Sequence, residues 1–232
     1  MTLIVALKTD KEVYLATDSL GYRFDYDNNL EFFLCQKYKK FNEHVEVLIS
    51  GVLNDGLRFI EEARRALKRV DLEKYDAFEI AKEIDKVATP AYKRIIDIPP
   101  IKKALRKNEA LLLEEWPLDM LVCGMDKDKK DCFTKPAIYE LQVKHAFLFS
   151  EVDKRLAVVS HPSVVSVAEP LFEDRLKKHT LAVDYEKTIH SCFVDVIDKM
   201  KKNLKDGQKS TIGEPIHIAR ITKEGYDILR GV

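Results

Sequence analysis

A threonine stands second in the chain, and the residues around it place an aspartate, Asp18, at its side. Leu3 to Leu7 and Val13 to Thr17 are apolar and β-branched, and Lys8-Thr9-Asp10-Lys11-Glu12 separates them, which is the pattern of a β-hairpin. With the turn centred between Asp10 and Lys11, Thr2 faces Ser19 and Leu3 faces Asp18. Thr2 and Asp18 then sit together at the open end of the hairpin. Methionine aminopeptidases remove Met1 when a small residue follows, and threonine qualifies. Thr2 would then carry a hydroxyl and a free α-amine on one residue. An α-amine has a pKa of about 7.7–8.0, so near neutral pH it serves as a general base. A hydroxyl with its own base attached is an activated nucleophile for attack on a carbonyl.

The elements that must hold these groups follow from the pattern of the chain. Phe32 to Phe41 and His44 to Ile49 predict a second strand pair, after a polar and aromatic stretch with a turn at Asp27-Asn28-Asn29. Gly51 ends the strand, and a helix carries Leu57, Phe59, Ile60 and Ala63, capped by Asn54 or Asp55. A second helix carries Phe78, Ile80, Ala81, Ile84 and Val87 and is interrupted at Pro90; Ile101 to Glu115 is helical or irregular. Leu118 to Met125 and Ala137 to Val143 predict a strand pair, followed by short strands at Phe147 to Phe149 and Leu156 to Val159. Helices are expected at Ser163 to Lys177 and Tyr185 to Leu204, and a closing hairpin at Pro215 to Ile221 and Tyr226 to Leu229. Strands and helices come in runs, not in strict alternation, which argues against a parallel doubly wound sheet. The expectation is an α+β fold in a single domain, 1–232, with two antiparallel sheets face to face and helix layers outside, in αββα order.

The chain resembles the β-type subunits of the proteasome and HslV family, the N-terminal-nucleophile (Ntn) hydrolases. The resemblance is carried by the N-terminal threonine, Ala16-Thr17-Asp18-Ser19, Lys37-Tyr38-Lys39-Lys40-Phe41-Asn42, Leu48-Ile49-Ser50-Gly51 and the helix with Asp55. Leu121 to Asp126, Ile212-Gly213-Glu214-Pro215-Ile216 and Ile221 to Gly225 extend it; Asp71 to Trp116 matches poorly. It implies a threonine peptidase or amidohydrolase in which Thr2 attacks, Lys37 favours the deprotonated nucleophile, Asp18 orients Lys37 and the Gly51 N–H receives the oxyanion. It also implies that Ser163 hydrogen-bonds the threonine, and that Gly21, Cys35, Ile49 and Leu53 line a small apolar substrate pocket. Spacing alone reads Lys37 as a solvated strand lysine beside Lys39 and Lys40, Asp18 as a strand-end turn residue, Gly51 as an ordinary glycine before a helix, and Ser163 as a helix cap.

The pattern also breaks in places. The family places an aspartate, and three residues later a serine or threonine, just before the glycine matching Gly213; here these are Lys209 and Ile212, with Ser210 and Thr211 between. Leu20 stands where the family has arginine, and Val52 where it has a second glycine. An inactive structural subunit of the same fold therefore remains an alternative, as does an Ntn amidohydrolase or transpeptidase acting on a small or specific amide.

The rest of the sequence narrows the class. Lys plus Arg equals Asp plus Glu at 39 each, and no charged tail stands out, which argues against nucleic-acid or membrane partners. Cys35, Cys123, Cys132 and Cys192 form no CxxC, and the six histidines show no ligand spacing, so no metal and no other cofactor is expected. Asp126-Lys127-Asp128-Lys129-Lys130-Asp131 lacks the glycine and glutamate of a calcium loop and reads as a solvated turn. Free thiols and the absence of a signal-peptide pattern lead us to expect a cytoplasmic protein. By resemblance the partners are a peptide or protein substrate, further copies of the chain in a ring, and an ATPase regulator.

Overall fold

A computed structural model describes residues 2–24, 30–51, 53–67, 71–96, 118–143, 147–178, 184–202 and 212–231. In chain order the strands are β1 (Ile4–Lys8), β2 (Val13–Asp18), β3 (Leu20–Phe24), β4 (Leu30–Leu34), β5 (Tyr38–Asn42), β6 (Val45–Gly51), β7 (Leu118–Lys127), β8 (Phe133–Val143), β9 (Phe147–Glu151), β10 (Leu156–Val159), β11 (Ile216–Thr222) and β12 (Gly225–Arg230). The helices are α1 (Leu53–Leu67), α2 (Ala77–Ile96), α3 (Pro162–Lys178) and α4 (Tyr185–Lys202). One antiparallel sheet runs β10-β1-β2-β11-β12, a second runs β5-β6-β7-β8-β9, and β3–β4 form a separate hairpin.

Strand alternation divides the interior into three apolar slabs. Leu3, Val5 and Leu7 turn toward Val164 and Phe172 of α3 and Phe193 of α4. Ile4, Ala6 and Leu15 turn the other way, onto Leu48, Leu121 and Ile138 of the second sheet. Val47 and Ile49 leave that sheet on its far side and pack under Phe59 and Ile60 of α1 and Ile80 and Ile84 of α2. Helices, sheet, sheet and helices are thus held by three cores, which is the αββα sandwich. The first hairpin takes the register read from the sequence, with Ile4 opposite Thr17 and Val5 opposite Ala16. Its turn is closed by the Thr9 hydroxyl oxygen, which accepts from the N–H groups of Lys11 (3.3 Å) and Glu12 (3.0 Å).

Three local expectations change. Helix α1 begins at Leu53, so Asn54 and Asp55 lie inside its first turn, where Asp55 suits the positive end of the helix dipole. Helix α2 runs through Pro90, which lies on its exposed side, while Ile84 and Ala88 keep the opposite face buried. The expected strand Phe32 to Phe41 is two strands: at Cys35 to Lys37 the chain leaves the β3–β4 hairpin for the edge of the second sheet. That crossing is fixed by Cys35 N–H on Ser19 O (2.8 Å) and Ile49 N–H on Lys37 O (2.8 Å). The stretch Ile101 to Glu115, expected to be helical or irregular, the turn at Asp27 to Asn29, and Trp116 lie outside the described residues.

The slab between the sheets also holds polar groups. His217 of β11 and Glu46 of β6 are both fully buried, and Nε2 lies 3.1 Å from Oε1. The Tyr38 ring stacks on His217 at 3.6 Å, and the Tyr226 hydroxyl lies 3.4 Å from Nε2. Burial and the nearby Glu46 carboxylate push the Tyr226 phenol up, so it stays protonated. The pair ties one sheet to the other. We expect His217→Leu, which strands the buried Glu46, to lower stability by about 1–3 kcal/mol in urea unfolding. Glu46→Gln keeps an acceptor for His217 and should lose less; equal losses would show that the hydrogen bond is not what matters.

Candidate active site

The described residues hold one charged pair sealed between lysine and aspartate, and it lies where the first hairpin opens. Asp18 is fully buried and Lys37 is 4% exposed. Lys37 Nζ donates to Asp18 Oδ2 at 2.9 Å and to the Leu20 carbonyl at 2.5 Å. The other carboxylate oxygen, Oδ1, accepts the Leu3 N–H at 2.8 Å, and the Leu20 N–H reaches Oδ2 at 3.3 Å. The backbone of Gly213 also donates to the carboxylate. Burial pushes the Asp18 carboxyl up, and the Lys37 ammonium with the N–H groups of Leu3 and Gly213 pulls it back. β2 supplies Asp18, the crossing after β4 supplies Lys37, and the segment before β11 supplies Gly213. The lysine that spacing alone reads as solvated is therefore enclosed: Ile49 N–H holds its carbonyl, and Asp18 and the Leu20 carbonyl hold its side chain.

Thr2 is 7% exposed and precedes the residue whose N–H is bound by Asp18. Alternation from Ile4 and Ala6 directs it toward the space between the sheets. Gly51 ends β6 with φ +96°, a left-handed conformation that favours glycine, and is exposed just ahead of α1. Gly21 and Cys35 come together: a side chain at position 21 would meet Cys35 Sγ at 2.7 Å. Ile49 is 1% exposed and lies against Gly56 of α1, and Leu53 packs at the edge of that same core. Ser163 lies exposed in the first turn of α3, where its Oγ is 2.8 Å from His161 Nδ1. His161 was not singled out by sequence reading; its place two residues before Ser163 was the available signal. Lys209, Ser210, Thr211 and Val52 lie outside the described residues. Among the described residues no cluster of three or more histidine, cysteine, aspartate or glutamate side chains is arranged to hold a metal, and no helix is long and apolar enough to cross a membrane.

No protein-family model and no curated protein matches the sequence. Among solved structures the chain is similar to the Anbu (Gly-1) mutant from Hyphomicrobium sp. strain MC1, with a TM-score of 0.63 and 15% identity over 99% of this chain and 85% of that one. The fold is that of the Ntn hydrolases. At this identity the likeness speaks for the Ntn sandwich and leaves the chemistry to the residues themselves.

Two measurements probe the site. Lys37→Ala strands the Asp18 carboxylate inside the Ntn sandwich, so we expect a loss of about 3–5 kcal/mol by chemical unfolding; a loss below about 1 kcal/mol would mean the pair is solvated. Burial pushes the Cys35 thiol up, with Lys37 pulling down and Asp18 pushing further up. Iodoacetamide at mildly alkaline pH, followed by peptide mass spectrometry, should therefore modify exposed Cys132 first and Cys35 slowly. Cys123 and Cys192, both buried, should react only on unfolding.

Proposed function

We propose that this chain is a threonine-type peptidase or amidohydrolase of the proteasome β/HslV kind, with Thr2 as nucleophile once Met1 is removed. The observation that carries the reading is the sealed Asp18–Lys37 pair, bound to the N–H of Leu3 directly after Thr2. A fixed ammonium there lowers the cost of an alkoxide on Thr2, and the α-amine takes the hydroxyl proton. As Oγ adds to the carbonyl, negative charge grows on the carbonyl oxygen. The N–H of Gly51, beside the N-terminus of α1, is the donor for it. Loss of the amine leaves an ester on Thr2, which water hydrolyses. Gly21 and Cys35 form the small, apolar side of the substrate site. Further copies of the chain in a ring, a peptide or protein substrate and an ATPase regulator belong to the same proposal.

A second reading, a structural subunit without catalysis, is favoured by Ile212. It is 1% exposed within the core beneath α3 and α4 and brings no hydroxyl where the family has one.

Intact mass comes first: we expect a chain one methionine short of the encoded mass. A peptide epoxyketone should then add to wild-type protein and not to Thr2→Ala, and Lys37→Arg should slow the addition by about 100-fold or more. Retained Met1, or an adduct that survives Thr2→Ala, would reject Thr2 as nucleophile in favour of the structural reading or another site.

A further inference from the structure

A second hydroxyl and base are paired at the start of α3. His161 Nδ1 lies 2.8 Å from Ser163 Oγ and 3.3 Å from the Ser163 backbone nitrogen. A backbone N–H only donates, so Nδ1 is an acceptor and the ring proton sits on Nε2. The Ser163 hydroxyl therefore donates to Nδ1, and its lone pairs turn away from the ring. The carbonyl of His161 meanwhile accepts from Val164 (2.8 Å) and Val165 (3.1 Å), which fixes the residue as the cap of α3.

The position of the pair matters as much as its geometry. β1 and β10 are antiparallel, with Val5 opposite Val158 and Ile4 opposite Val159. Continued toward the chain start, the same register would set Leu3 opposite Ser160 and Thr2 opposite His161. On that register Thr2 falls between the end of β2, with buried Asp18, and the turn after β10, with His161 and Ser163. Both residues of the second pair are exposed at the start of α3.

We propose that His161 is a positioning residue for Thr2 that acts through Ser163; this rests on the reading of Thr2 as nucleophile. By holding the Ser163 proton, His161 leaves Oγ to accept a hydrogen bond from the Thr2 α-amine. The amine is then aimed at its own hydroxyl. In acylation the Thr2 Oγ proton moves to the amine, the C–O bond forms, and the resulting ammonium gives that proton to the departing nitrogen as the C–N bond breaks. Water later adds to the ester, and Oγ regains a proton as the acid leaves. His161 ends each cycle as it began.

The test follows the rate of epoxyketone addition to Thr2 in protein freed of Met1. His161→Ala and Ser163→Ala should each slow it by about tenfold or more, and the double variant should be no slower than the slower single, because the two act as one unit. His161→Asn keeps an acceptor and a good cap, and should recover most of the rate. A helix-capping role alone would move thermal stability in parallel with rate, so melting temperatures are recorded for each variant. Single variants within about twofold of wild type, or losses that multiply in the double, would overturn the proposal while leaving Thr2 as nucleophile. Failure of the wild type to react would overturn the nucleophile reading itself. A readout independent of reaction is the ring ¹⁵N spectrum of His161. Its signals should move when Met1 is removed and should cease to do so in Ser163→Ala; signals indifferent to Met1 would overturn the pairing.

Discussion

The ion pair of Asp18 and Lys37 is the constraint on which the rest of the molecule depends. A charge taken out of water is tolerated only when every lone pair and proton finds a partner. Asp18 meets that condition by drawing in Leu3, Leu20, Gly213 and Lys37, which come from four separate parts of the chain. β1 must therefore lie beside β2, the chain must cross between sheets at residue 37, and the segment before β11 must close over the end. The apolar slabs supply most of the driving force for burial. The ion pair decides where the strands stop.

A second polar cluster lies deeper in the sandwich and is less completely paired, since Glu46 Oε2 and His217 Nδ1 find no hydrogen-bond partner. Glu46 and His217 sit on different sheets, and Tyr38 stacks over the ring from the position next to Lys37. β11 places His217 opposite Thr17 and Ile216 opposite Asp18. The two buried polar sites therefore adjoin where β2 pairs with β11 and where Lys37 leads into β5, and a shift of one sheet against the other would disturb both. Buried hydrogen bonds of this kind fix one relative placement of two surfaces that would otherwise slide on apolar contacts.

Much of the architecture was legible because it follows from periodicity. The hairpin register, both sheets and three of the helix spans come from alternation and from turns rich in charge. What was not legible depends on tertiary partners. Pro90 reads as a break, yet it lies on the solvent side of a helix whose other face is buried. Lys37 reads as a surface lysine among lysines, and only a carboxylate nineteen residues away explains its burial. The Glu46–His217 link spans most of the chain and leaves no local trace. His161 is a lone histidine in sequence and acquires a partner only when the first turn of α3 is built.

The depth of Thr2 carries a consequence for what can meet it. With 7% of its surface open, Thr2 offers little of itself to any partner. Under the proposed function, a reacting group would have to be narrow enough to approach it past the end of the first hairpin.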